Sequence, residues 1–353
     1  MRLLIVSGSK GKFFHLKEFA DTLAKFGVES KVIKEIEYVT GFPTKNIRSW
    51  LASNKKFKKL IGDFLPDAVF IDRQSYFGLN AIKAKIPLFV LLRGHYWEEV
   101  EWAKKTIYKD PIMRSVVWIR NRVAEKCFRG ATLILPICGY LENVVKEHYP
   151  QKTTHVFFEG IDASRWYHVK GEELAHPCVG LLQDANWWGK TKEMLILKKV
   201  LEAMPDVTFY WAGDGPYREK ILSVLNKYKN FKWLGRLDYP DKVRKYLSEI
   251  DVYALVTGMD TAPLTLKEAQ LMKKPVVATD VGGVAEMMLD HKTGFLIKEG
   301  DFKNWIDKLR LLLNDKKLSE EIGNNGHRFI QENFNWDVIT KKFLNIVNSL
   351  EKN

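Results

Sequence analysis

Short apolar runs of strand length recur along the chain and alternate with longer segments of helical periodicity. In the first half the runs occupy residues 3–6, 30–33, 68–71, 87–92 and 132–135. In the second they occupy residues 178–182, 207–211, 231–234, 252–256 and 275–278. This alternation predicts an α/β fold with doubly wound parallel sheets. The first run ends in Ser7-Gly8-Ser9-Lys10-Gly11, ahead of a helix reaching Phe26. Such a loop at the carboxyl edge of a sheet cradles an anion or a sugar, so Gly8 is a candidate contact. Its glycine spacing falls short of the dinucleotide fingerprint.

Two helical segments in the first half carry unusual faces. Over residues 44–63, Ile47, Trp50, Leu51, Phe57, Leu60 and Ile61 share one face, and Arg48, Lys55 and Lys59 share another. Over residues 110–129, Asp110 is placed to cap the helix, with Pro111 at its first position. Ile112, Val116, Val123 and Cys127 form the core face there, while Trp118 falls among Arg114, Arg122 and Arg129. Two readings of Trp118 stay open: an interfacial anchor, or a cover for a neighbouring loop beside solvated arginines. Between these helices, Leu91-Leu92-Arg93-Gly94-His95-Tyr96-Trp97 reads as a buried strand ending in a basic, aromatic loop.

Residues 251–297 hold the densest chemistry. An apolar strand is interrupted by Thr257-Gly258-Met259-Asp260, and a helix capped by Thr261 is predicted to run to Lys273 with Pro263 in its first turn. A second strand then leads into Gly282-Gly283 and a helix start near Glu286, followed by a short strand ending at Ile297. Two strand–loop–helix junctions lie close together, each offering free amides to a phosphate.

The order Asp260, then Glu268 in Leu-Lys-Glu-Ala, then Pro-Val-Val-Ala-Thr-Asp-Val-Gly-Gly and Thr-Gly-Phe-Leu resembles the donor-site signature of glycosyltransferase family 4. These are retaining enzymes with the GT-B fold. The resemblance implies two Rossmann-like domains facing a cleft: an acceptor-binding domain over residues 1–168 and a nucleotide-sugar domain over 169–335. A final helix over 336–353 would return to the first domain, after the family-like step Phe334-Asn335-Trp336.

Family roles carry over by position. Glu268 would hold the ribose hydroxyls and Asp260 hydroxyls of the transferred sugar, with the helix start at Ala262, Pro263 and Leu264 offering its free amides to phosphate. The turns at Gly213, Gly215 and Arg236 would surround base and ribose. His95 would face the donor phosphates and the acceptor, with Arg93 as a phosphate contact. Two departures stand out: Asp260 replaces the usual Glu, and Leu181 stands where the family has an Arg on the diphosphate. Lys190 and Lys192 are the cations available instead, Lys190 being preferred. Glu159 also replaces an Asn in the family's crossover between domains. The expected activity is metal-independent transfer of a hexosyl group from a UDP- or GDP-sugar, with no cofactor. A GT-B protein that binds nucleotide-sugar or glycan without turnover is the alternative.

Composition narrows the partners. At 353 residues the chain exceeds one typical core, which fits two domains. The net charge of +13 is uneven. Residues 1–168 hold 28 Lys+Arg against 17 Asp+Glu, and residues 169–353 hold 28 against 26. Either the first half meets something anionic, such as lipid headgroups or a lipid-linked acceptor, or its lysines are merely solvated. No recognised nucleic-acid module is present, so nucleic acid is not an expected partner. Three scattered cysteines, without metal-type pair spacing, point to a reducing cytoplasm. The first apolar run is too short for a signal peptide and no run reaches spanning length, so any membrane contact is expected to be peripheral.

Overall fold

The computed structural model describes residues 1–8, 13–38, 47–106, 108, 110–171 and 173–350, and leaves aside the side chains of 47–54, 112 and 113. The expected contacts of Ser9, Lys10 and Gly11, and of Ile47, Arg48, Trp50, Leu51 and Ile112, lie outside the described residues or side chains.

The chain divides into two compact units, one of residues 1–160 with 336–353 and one of residues 161–335. The first contains β1 (Arg2–Ser7), α1 (Phe13–Lys25), β2 (Glu29–Lys34), α2 (Glu35–Tyr38), α3 (Ile47–Phe64), β3 (Ala68–Ile71) and α4 (Tyr76–Lys83). It continues with β4 (Leu88–Leu92), α5 (Tyr96–Thr106), α6 (Pro111–Gly130), β5 (Leu133–Pro136) and α7 (Gly139–His148). Its sheet is parallel in the order β2-β1-β3-β4-β5. β1, β3, β4 and β5 are buried almost throughout, which explains why they read as continuous apolar runs rather than alternating ones. The segment after Arg93 differs from the loop expected there: Tyr96 and Trp97 open α5, against which no apolar run gave warning.

The second unit contains β6 (Cys178–Leu182), α8 (Trp188–Thr191), α9 (Leu197–Ala203), β7 (Thr208–Ala212), α10 (Arg218–Leu225), β8 (Phe231–Gly235) and α11 (Asp241–Glu249). Then come β9 (Val252–Leu255), α12 (Leu264–Leu271), β10 (Val276–Thr279), β11 (Phe295–Ile297), α13 (Phe302–Asn314) and α14 (Lys316–Asn333). Its parallel sheet runs β11-β10-β9-β6-β7-β8. α12 is shorter than expected. Pro263 rather than Thr261 holds the cap position, and Lys273 enters the left-handed region (φ 57°), where its amide and that of Lys274 turn back onto Gln270 O and Ala269 O. Near Glu286 only a single 3₁₀ turn forms. Residues 161–168 fall in the second unit rather than the first. The Ile161 amide donates to Phe334 O at 2.9 Å, and Arg244 Nη1 donates to Arg165 O at 2.8 Å.

The last helix, α15 (Trp336–Leu350), belongs to the first unit. Phe343 is 1% exposed and meets Phe19, Phe70, Phe89 and Phe157 with ring centroids 5.3–6.0 Å apart. Trp336 stacks on Phe19 at 5.6 Å and donates through Nε1 to Glu18 at 3.0 Å. Gly160 allows this docking, because a Cβ there would overlap the Trp336 ring. Among the described residues, no helix is long and apolar enough to cross a membrane.

Phe343→Ala should lower the unfolding free energy of the first unit by about 3–5 kcal/mol. Urea unfolding followed by fluorescence, with the exposed Lys342→Ala as control, checks this; equal midpoints for the two variants would show that α15 is not part of the core.

Candidate functional site

In the second unit, β6, β7 and β8 run to one side and β9, β10 and β11 to the other. The carboxyl ends of β6 and β9 therefore mark a topological switch point, where loops diverge and ligands bind in such sheets. β6 and β9 pair only at Val179↔Val252 and Gly180↔Tyr253. Beyond that register the buried Gln183 takes over: its Nε2 donates to Val256 O at 2.7 Å, and the Val256 amide donates to its Oε1 at 3.1 Å. Gln183 escaped the sequence reading because nothing in a lone Gln after an apolar run announces that it will bridge two strands. Leu181 is fully buried in the core of this unit, so the polar side chain at this strand end is Gln183.

Around the switch point the loops bring Lys190 and Asp260 into an ion pair. Their side chains are 29% and 11% exposed, so the pair is partly shielded yet reachable. The other carboxylate oxygen of Asp260 accepts from the Thr261 amide at 2.9 Å. The Asp260 carbonyl accepts from the Gly283 amide at 3.0 Å, and Gly282 (φ 56°) packs so tightly on that carbonyl that no Cβ would fit. The double glycine thus fixes the backbone of Asp260. Lys190 O in turn accepts from the Gly258 amide at 2.9 Å, joining the β6 and β9 loops. Lys192 pairs instead with Glu299 at 3.6 Å.

Ala262, Pro263 and Leu264 form the start of α12, next to Asp260. Glu268, one turn further along, is 1% exposed. Its carboxylate lies near the Tyr253 phenol, which burial pushes up, a push that the Glu268 and Asp260 charges reinforce. Tyr253 donates to Thr265 Oγ1 at 2.7 Å. Gly213 and Gly215 pack on the backbone of Gln183 and Ala185, and Arg236 pairs with Asp184 at 3.1 Å in an exposed position. Trp233 closes this corner, donating through Nε1 to Gly213 O at 2.8 Å under the guanidinium of Arg218.

In the first unit the switch point lies between β1 and β3, where Gly8 packs on Arg73. A cavity of about 660 Å³ opens here, with Gly8, Glu35, Asp72 and Arg93 among its lining residues together with the apolar Val100, Ala103 and Val117. Burial pushes the Glu35 carboxyl up and the Arg93 guanidinium down, the latter opposed by Asp72. Arg93 is held between Asp72 and Glu159. The Glu that departs from the family crossover is therefore a partner for Arg93. His95 stands before α5, and its Nδ1 accepts from the Glu98 amide at 3.2 Å, which leaves the neutral ring's proton on Nε2. Trp118 is 60% exposed with the Arg122 guanidinium 5.2 Å over its ring, so it does not cover a loop. Lys104, Lys105, Arg114 and Trp118 line an open depression beside it.

Residues 180–315 match the sequence profile of the family described as Glycosyl transferases group 1. The second unit carries the group 1 glycosyl transferase pattern, and the chain has the GT-B fold. A sulfoquinovosyl transferase of Arabidopsis thaliana is 31% identical over 160 residues, 44% of this chain and 31% of that protein. A trehalose synthase of Thermococcus litoralis is 32% identical over 176 residues, 46% of this chain and 42% of that protein. The matched stretches thus span less than half the length of these curated relatives. The solved structure of Anabaena Alr3699/HepE in complex with UDP-glucose superposes with a TM-score of 0.70 at 17% identity, covering 99% of this GT-B chain and 100% of that one.

Because Arg93 is part-buried between two carboxylates, Arg93→Ala should destabilise the first unit by about 3–5 kcal/mol. Thermal unfolding checks this. An unchanged transition would free Arg93 for a ligand role instead.

Proposed function

We propose that this GT-B protein is a retaining, metal-independent hexosyltransferase of the family 4 type. It would take a UDP- or GDP-sugar as donor and an anionic or lipid-linked acceptor at the cytoplasmic face of a membrane. The observation that carries the reading is the Lys190–Asp260 pair at the β6/β9 switch point, beside the start of α12 and inside the matched stretch. Transfer breaks the bond between the sugar's anomeric carbon and the diphosphate, and negative charge collects on the departing phosphate. Lys190 and the free amides at the start of α12 would stabilise that charge. In this arrangement Lys190 neutralises Asp260; a bound diphosphate would share the ammonium and release a carboxylate oxygen for a sugar hydroxyl. Glu268 would hold the ribose and His95 the acceptor side, with the cavity of the first unit offering both polar and apolar lining to an acceptor. The solved neighbour with UDP-glucose supports the donor class.

A thermal-shift panel of nucleotide-sugars tests the donor, since a ligand at 100 times its Kd stabilises by about 2.7 kcal/mol. Glu268→Ala should abolish the shift. Lys190→Ala should cut turnover about 10²–10³-fold, and Asp260→Ala should lower turnover more than nucleotide affinity. No shift with any donor would overturn the reading. A shift without turnover on any acceptor from a lipid extract would favour binding alone.

The exposed Trp118–Arg122 pair supports the membrane side. The double variant Trp118→Ala, Arg122→Ala should reduce binding to vesicles containing phosphatidylserine, by about 1 kcal/mol for the lost cation alone. Equal sedimentation of wild type and variant with those vesicles would sink this part of the proposal.

A further inference from the structure

At the opposite end of the second sheet lies a cluster that the donor site does not use. His176 and Cys178 stand at the amino end of β6, Asp251 immediately precedes β9, and Glu249 closes α11. A five-residue strand separates this end from the carboxyl-end loops by about 17 Å.

We propose that His176 Nδ1, Cys178 Sγ and Asp251 Oδ2 form a site for a zinc-class divalent cation, with Glu249 orienting the imidazole. The three donor atoms lie within 4.8 Å of one another. Nδ1 is 2.8 Å from Oδ2 and 3.7 Å from Sγ. A tetrahedron with bonds of about 2.0–2.3 Å has ligand–ligand edges of about 3.3–3.7 Å, so closure needs only small shifts. The His176 and Asp251 side chains are 42% and 38% exposed while Cys178 is buried, so water can reach the cluster from the His176 and Asp251 side to supply a fourth ligand.

The surroundings suit an ion more than a simple hydrogen bond. Glu249 Oε1 sits 3.3 Å from His176 Nε2, the outer carboxylate that metal-bound imidazoles commonly have. Asp251 Oδ2 accepts from the Cys178 amide at 2.8 Å, so the carboxylate is held in place by the adjacent strand. With the thiol ionised, Cys178, Asp251 and Glu249 bring three negative charges. The nearby Lys274, whose Nζ donates to Ser248 O at 2.8 Å, offsets one and leaves a charge matched to a dication. Sulfur, nitrogen and oxygen together select zinc or cobalt over the hard ions magnesium and calcium. On binding, the thiol proton and the proton between imidazole and carboxylate pass to water, and no redox change occurs. Residues 176 and 178 are 73 positions or more from residue 251, which is why no ligand spacing showed in the sequence.

The test uses the full chain, freed of any affinity tag and stripped with chelator. Equilibrium dialysis should show one zinc or cobalt ion per chain, and cobalt should give a thiolate charge-transfer band in the near ultraviolet. Cys178→Ser should remove the band, and Glu249→Gln should weaken affinity about 10–100-fold. His176→Gln, at a more exposed position, should also weaken binding, and it keeps the test open if Cys178→Ser does not fold. No stoichiometric metal in the wild type, a band that survives Cys178→Ser, or wild-type affinity in His176→Gln would overturn the proposal. None of these readouts depends on transfer activity.

Discussion

The parting of β6 and β9 is the constraint on which the second unit's site depends. Two parallel strands that pair for only two residues cannot by themselves hold the loops that follow them. Gln183 supplies what the backbone no longer does, since its amide satisfies both the donor and the acceptor of Val256. Its own carbonyl accepts from Trp211 Nε1 at 2.9 Å, tying β7 into the same node. Fully bonded buried amides of this kind are rigid, because any displacement leaves polar groups unpaired in a medium without water. Lys190 and Asp260 lie on the loops that leave β6 and β9 beyond this node.

Two cations show how charge balance separates a group locked between its partners from one whose partner can be shared. Arg93 meets two carboxylates, and its side chain is only 17% exposed. Removing it would leave two buried negative charges, so its bonds are not exchangeable at low cost. Lys190 meets one carboxylate, which also has a backbone amide on its other oxygen. An incoming anion can share that ammonium without stranding Asp260. The same reasoning accounts for Glu159: the departure from the family's Asn supplies the second charge that Arg93 requires.

Much of this was legible in the chain. Parallel strands buried on both faces must be apolar runs, and such runs located the strands down to β11, the short strand expected to end at Ile297. The α12 junction was legible because glycines and prolines mark loops by chemistry that composition reveals. What stayed hidden depends on partners distant in sequence. α5 shows no buried residues, so no apolar period marked it. The burial of Glu268 and the bridging by Gln183 follow from packing that no local window contains. The amino-end cluster needs α11 and β9 to come back to β6.

Of the two readings of Trp118, cover for a loop and interfacial anchor, its exposure argues against the first. A Trp covering a loop would be largely buried, yet this ring is 60% exposed and its neighbour is a guanidinium. Exposed indole is costly in water unless its polar edge and apolar face both find use, and the headgroup region of a bilayer offers both. Lys104, Lys105 and Arg114 around the same depression add charge of the same sign. α6 carries five Lys+Arg against one Glu around this ring, whereas α5 carries two Lys against three Glu, so the local basic excess belongs to α6.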